Sequence, residues 1–551
     1  MTTPDLPTEL WLEILSYLPK GSIRRLIGVN RVLFELGFRE IYEEFRLISA
    51  DKETMKALSQ LRHPNIAKHV RRMFIQPAFL PAPNDPRRHS KRRNSWSMPR
   101  RPMKQIGGAA HLTGPSGNSQ DPAREPDILL RAAKEITNLC INLEDLTITL
   151  HECVVTPSFM AFIKSLWIGN SVGPCFRRLT IRTTVAKIPL LLAPLIKHPK
   201  DLPNFEELVF DISIAIHLVH TDVDWISATQ HLGLFAKAHK QTITALSISS
   251  MLYGDVLAEL FTNLPHFSKL KKFELFAILN VRTFSNRKIF NEFIALHAPT
   301  LEALIIIPRP QGSSIDPPTD NTYRQWLVAD VPSNIMEMAL FSQFSLPNLR
   351  TFHVGLTKTA PEMYHDLSGH STTVHPPLLP SLICVAPAIT RLTLGQAQIT
   401  RNELSGILNL LPTRGGQVIL EEFSFVCHIL FCSVLDVLAR RLPLLKCLTI
   451  KYHMAATDDN DASPTLWNGH PSVTEFPIAM RSRCYPSWPV RYLRMLYASS
   501  CNEGHPAEED MAVVAASISP LVFLDNMRTC TCTVPDLLPR SIWSSMEWHF
   551  E

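Results

Sequence analysis

Leu143-Glu144-Asp145-Leu146-Thr147-Ile148 sets the pattern on which the reading of this chain turns: six residues, apolar at the first, fourth and sixth. It returns as Phe176-Arg177-Arg178-Leu179-Thr180-Ile181 and Phe205-Glu206-Glu207-Leu208-Val209-Phe210. Further copies run from Ile243 to Ile248, Leu270 to Leu275, Leu301 to Ile306, Leu349 to Val354, Ile389 to Leu394, Leu420 to Phe425 and Leu445 to Ile450. Weaker copies stand at Val70 to Ile75 and Val490 to Met495. Recurrence at intervals of 25 to 48 residues marks a chain built from repeated supersecondary units.

The closing apolar-x-apolar alternation predicts a short strand with one buried face. Helical periodicity fills many of the intervals. Phe159, Phe162, Ile163 and Leu166 follow a candidate cap at Ser158; Ile289, Phe290, Phe293 and Ile294 form a second stripe, and Leu404, Ile407, Leu408 and Leu411 a third. Pro265, Pro299, Pro347, Pro387, Pro412 and Pro443 then stand two to eight residues before the next hexad, where they stop a helix. Strand, turn, helix and proline at about 30 residues per unit predict a solenoid. A doubly wound sheet, which also alternates strands with helices, is the alternative.

This array resembles an irregular leucine-rich-repeat solenoid, most closely that of fungal F-box proteins with degenerate repeats, over roughly residues 127 to 500. The Asn or Cys that normally follows the strand in that family is absent. The first residues carry the other half of the resemblance. From Glu9, the apolar side chains Leu10, Ile14, Leu15 and Leu18 recur at helical intervals, with Pro7 at the start and Pro19 and Gly21 at the end. Ser22 is placed to cap a second helix with Ile23, Leu26 and Ile27, and Val29, Leu33, Leu36 and Phe38 suggest a third. Some 40 residues seldom close a core alone, so part of this apolar surface is expected to be completed by another protein. Leu6-Pro7, Glu9-Leu10, Ile14-Leu15, Leu18-Pro19 and Val29-Asn30-Arg31 resemble the F-box, with Asn30 and Leu33 at or near positions where many F-boxes carry Cys and Trp.

Together the resemblances imply an α/β solenoid: a three-helix F-box-like module over residues 1–45, a connecting helix and possible first repeat over 46–80, and a repeat domain over 127–500. Its parallel strands would line the concave face, and 501–551 would form a C-terminal capping region. They imply a substrate-recognition adaptor that is not itself an enzyme and has no cofactor. Such an adaptor holds a Skp-type linker and its cullin ubiquitin ligase through Leu6, Pro7, Leu10, Ile14, Leu15, Leu18, Pro19 and Val29, and selects an unknown protein target with its repeats. A scaffold whose N-terminal helices merely cap the solenoid is the rival reading.

Between residues 81 and 126 the pattern stops. Nine Arg or Lys against three acidic residues give this segment +6, which leaves the rest of the 551-residue chain, +5 in all, at −1. Eight prolines and four glycines there predict a disordered basic insertion. The folded part therefore offers no general basic field, which argues against a nucleic-acid partner. Arg92-Arg93-Asn94-Ser95 has the spacing favoured by basic-directed kinases, making Ser95 a candidate phosphosite, and Arg87 to Lys104 a candidate nuclear import signal.

If the fourth and sixth residues of each hexad point inward, the third, the fifth and the one following form the open face. It would present Asp145, Arg178, Arg182, Glu207, Asp211, Lys272, Glu274, His353, Arg391, Glu422 and Lys451. Signs alternate along this series, which fits a protein ligand better than a polyanion.

Catalytic and metal motifs are not found: there is no phosphate-cradling glycine loop and no nucleophile elbow. Cys427, His428 and Cys432 read as an apolar helical stretch, Cys530 and Cys532 are too close for the usual zinc pairing, and His365, His370 and His375 suit no single helix or strand face. Asp458-Asp459-Asn460-Asp461 lacks the glycine and distal Glu of a calcium loop. No apolar run reaches membrane-spanning length. Met1-Thr2-Thr3-Pro4-Asp5 has no basic leader, so a cytoplasmic or nuclear setting is expected, with the eleven cysteines mostly buried thiols.

Overall fold

The computed structural model describes residues 6–18, 23–26, 28–29, 31–80, 125–150, 153–213, 222–250, 256–280, 286–309, 322–328, 339–341, 344–356, 379–457, 475–497 and 523–528. Pro19, Ser95, the tract from Arg87 to Lys104, the His365 to His375 series, Asp458 to Asp461 and the Cys530–Cys532 pair lie outside these residues. The chain divides into two compact units, Met1–Met251 with Asn263–Lys269, and Leu252–Thr262 with Leu270–Glu551.

In the first unit, α1 (Thr8–Ser16), α2 (Ile23–Leu26) and α3 (Arg31–Tyr42) precede six strands: β1 (Glu44–Leu47), β2 (Arg72–Ile75), β3 (Asp145–Leu150), β4 (Arg178–Thr184), β5 (Glu207–Ser213) and β6 (Ala245–Ser250). The second unit holds β7 (Lys272–Ala277), β8 (Ala303–Pro308), β9 (Thr351–Gly355) and β10 (Arg391–Gly395). A two-stranded hairpin follows, β11 (Thr413–Arg414) and β12 (Gln417–Val418), turned by Gly415 and Gly416 at φ 61° and 82°. These positive angles at both central positions are what a tight hairpin turn demands. Then come β13 (Glu422–Phe431), β14 (Cys447–Ala456), β15 (Tyr492–Tyr497) and β16 (Phe523–Arg528).

Apart from that hairpin, strands pair in parallel, and within each unit their order follows the chain. A doubly wound sheet reverses its strand order at a switch point; neither unit does, which favours the solenoid-like repeat. Register is held from strand to strand: Met73, Leu146, Leu179, Leu208 and Leu246 form one lateral row, and Phe273, Leu304, Phe352, Leu392, Phe423, Leu448 and Leu493 another.

All twelve hexads are strands, and the first, fourth and sixth residues of each are buried. Each full burial removes enough apolar surface to stabilise by about 1.5–3 kcal/mol. One pattern position begins the strand from below and two line the face packed on the helices. Phe205 shows the first: it stacks on Phe176 of the preceding hexad at 5.7 Å and meets Phe235 of the helix Asp222–Ala238 edge-on at 5.9 Å. Phe273 shows the second, packing on Phe290 and Phe293 of the helix Arg287–His297 at 5.9 and 5.3 Å.

Besides the β11–β12 hairpin, two strands are not among the hexads. Tyr42-Glu43-Glu44-Phe45-Arg46-Leu47 follows the pattern and becomes β1, pairing Phe45 with Met73 and Leu47 with Ile75. In β16 the sixth position is Asn526, opposite Met495, so no apolar residue marks it.

Some local readings are corrected. The cap of the helix Pro157–Ile168 is Thr156, whose hydroxyl accepts from the Phe159 amide, and not Ser158. The helix Arg401–Asn409 begins with a reciprocal Thr400–Glu403 capping box. Cys427 lies on strand β13 and Cys432 opens the next helix, because the alternation of Phe423, Phe425 and Cys427 continues the strand. Eight cysteines are described as free thiols, and only Cys140, Cys427 and Cys432 are buried, so "mostly buried" is too strong.

Candidate partner-binding surfaces

The N-terminal helices leave a large apolar surface open. Pro7 sits at the N-cap of α1, its carbonyl accepting from the Leu10 and Trp11 amides at 3.1 and 3.2 Å. At about 100° per residue, Leu10 and Ile14 lie about 40° apart on one side of the helix, with Trp11 and Leu15 beyond them, and Leu18 follows the C-cap Tyr17. Leu15 is 9% exposed, whereas Leu10 and Ile14 are 44% and 43% exposed and Val29 is 62% exposed. Leu6 and Leu18 are exposed as well. In α3, Leu33 is buried and Phe34 is exposed, its ring in contact with Phe38 at 4.4 Å. Seven of the eight residues named for linker docking are thus described, and all but Leu15 lie open. Leu12, Tyr17 and Phe34 are further exposed apolar residues here that the helical stripe did not single out.

The second surface is the sheet face turned away from the helices, and each unit has its own. In the first unit the third-position row runs Arg72, Asp145, Arg178, Glu207. Arg178 pairs with Glu207 at 3.5 Å, and Arg72 with Glu43 at 3.2 Å. Two outward positions along, Arg182 lies opposite Asp211, which is buried rather than presented and accepts a hydrogen bond from Ser249 at 2.9 Å. Thr147, Thr180, Ser247 and Ser249 make this face rich in small hydroxyl side chains.

In the second unit, Lys272 pairs with Glu274 at 2.9 Å and Arg391 with Glu422 at 3.1 Å. Burial raises the Glu422 carboxyl despite the neighbouring Arg391. His353, on β9, has its imidazole pushed down to about 4 by burial, with Glu274 pulling weakly the other way, so it is neutral at pH 7. Lys451, on β14, stands between Val426 of β13 and Leu496 of β15, and burial lowers its ammonium. The sequence placed these residues on one face; what it could not give is which of them pair, Lys272 with Glu274 along one strand and Arg391 with Glu422 across two.

Among the described residues no group of three or more His, Cys, Asp or Glu could hold a metal ion. No helix among them is long and apolar enough to cross a membrane.

No protein-family model matches the chain, and no curated protein matches it. Among solved structures it is similar to a chain of the crystal structure of the Rad7 and Elc1 complex in yeast, at 12% identity, covering 62% of this chain and 86% of that one with a TM-score of 0.30. A likeness of that degree fixes neither family nor function.

Proposed function

We propose that this protein is a substrate-recognition adaptor: α1 to α3 form an F-box-like module that docks on the Skp-type linker of a cullin ubiquitin ligase, and the leucine-rich-repeat-like strands select the protein to be modified. The observation that carries this reading is the exposure of Leu6, Leu10, Ile14, Leu18 and Val29 while Leu15 and Leu33 are buried. Helices that only capped the repeats would turn that stripe inward. Exposed apolar side chains gathered on one short module are what a partner surface completes.

In this role the chain contributes no reacting group and needs no cofactor. It accelerates ubiquitin transfer by raising the effective concentration of a target near a charged carrier. The work is expected in the cytoplasm, the nucleus or both.

Affinity purification with mass spectrometry tests the assignment, comparing the intact chain with Leu6→Ala/Pro7→Ala. Linker and cullin should be recovered with the first and depleted with the second. Equal recovery, or no linker with either, counts against the adaptor. Deleting residues 1–45 is a poorer control, because it removes Phe45 from the core pairing with Met73.

A further inference from the structure

Among the described side chains of the second unit's outward face, one charge has no balancing partner. Lys272 and Glu274 hold each other, as do Arg391 and Glu422, and Arg494 is also engaged. Lys451 is the exception among the described side chains of that face: it is half-buried and makes no ion pair or hydrogen bond. Its lateral neighbours are Val426 and Leu496, each one strand away, about 5 Å to either side. An ammonium partly withdrawn from water between two aliphatic side chains is costly when unpaired, and the cost is recovered when an anion arrives with its own apolar cover.

We propose that Val426, Lys451 and Leu496 form the seat for an acidic residue flanked by apolar side chains in the protein segment this chain selects. The inference rests on the adaptor reading and narrows its substrate class. Charge complementarity chooses the carboxylate, and the aliphatic pair chooses the flanks. A polyanion fits less well, because Glu274 and Glu422 are also on this face.

Random peptides displayed on phage, selected on the full-length protein, test the seat. Asp or Glu with Leu, Val or Ile within two positions on both sides should be enriched about tenfold over a parallel selection on Lys451→Met. Lys451→Glu should turn the central preference toward Lys or Arg, and Leu496→Ser should weaken the apolar flank while keeping the acidic centre. Thermal midpoints within a degree or two of wild type confirm that the variants fold. No acidic enrichment on the wild type, or enrichment that survives Lys451→Met, overturns the proposal. Linker recovery is measured on the same variants: its retention when enrichment is lost places the fault at the seat alone. Enrichment in a chain that never recovers linker leaves the seat standing and removes the ligase.

Discussion

Asn204 donates its side-chain amide to the backbone carbonyl of Pro174 at 2.7 Å, bridging one repeat to the one before. Asn142 does the same to Lys68, and Asn348 to Pro299, each at 2.7 Å. Every one of these asparagines stands immediately before the first residue of a hexad, and each acceptor stands two residues before the preceding hexad. The stitch continues on the main chain, where the carbonyl of Arg177 accepts from both Glu206 and Glu207 amides, and that of Glu206 from both Thr244 and Ala245. These bonds fix the lateral register that brings Arg178 beside Glu207.

Replacing Asn204 with Ala should therefore lower unfolding stability by about 1 kcal/mol, the net worth of one partly solvated hydrogen bond. Urea denaturation should show a reduced midpoint with an unchanged slope.

The inward and outward hexad positions should respond very differently. Leu208 is fully buried at the fourth position of its hexad, so Leu208→Ala should cost about 2–5 kcal/mol. Glu207→Ala next to it loses a solvent-screened pair with Arg178 and should cost less than about 1 kcal/mol. Equal losses in denaturation would mean that the alternation has been misassigned.

Gly355 ends β9 beneath the side chain of Gln396, which reaches over it to the Pro308 carbonyl. Gln396 adopts a left-handed φ of 69° to do so. A methyl on Gly355 would lie 2.6 Å from the Pro308 ring as well as against Gln396. Gly355→Ala should destabilise the protein by about 1–3 kcal/mol through this overpacking, read by thermal unfolding.

His353 makes stability pH-dependent. Burial holds its imidazole at about 4, against 6.5 when unfolded, so the unfolded chain binds the proton more readily. Its neutral form contributes in full above pH 6.5, and stability is lost as the pH falls from there toward 4. In His353→Gln the acid-side loss of unfolding free energy, read by urea denaturation, should shrink by up to about 3 kcal/mol at pH 4. His239 is shifted in the same direction by burial, so the comparison must be between the variant and its parent.

The strand array was legible because three apolar positions in six are demanded by one strand face and the turn beneath it, a spacing few other structures require. β1 escaped notice because Tyr42 to Leu47 begins on the last residue of a helix and is half charged, and β16 because a polar residue, Asn526, stands at the register position opposite Met495. The open face was also legible as a set of side chains, since alternation assigns Arg391 and Glu422 to it. Their pairing was not, because the lateral neighbour of a parallel strand lies some 30 residues away and depends on register. The solitary state of Lys451 was hidden for the same reason: it appears only once the partners of the surrounding charges are known. At the N-terminus the helical stripe was plain, but whether it faced inward or outward required the positions of Leu15 and Leu33.

That orientation is also what the central claim depends on, and direct binding of a purified Skp-type linker to the full-length chain tests it, by calorimetry on the wild type and on Leu10→Ser/Ile14→Ser. Because both side chains are exposed, the double variant should keep its thermal midpoint while losing at least about tenfold in affinity from a one-to-one complex. Absence of binding by the wild type, or undiminished binding by a folded double variant, would contradict the account.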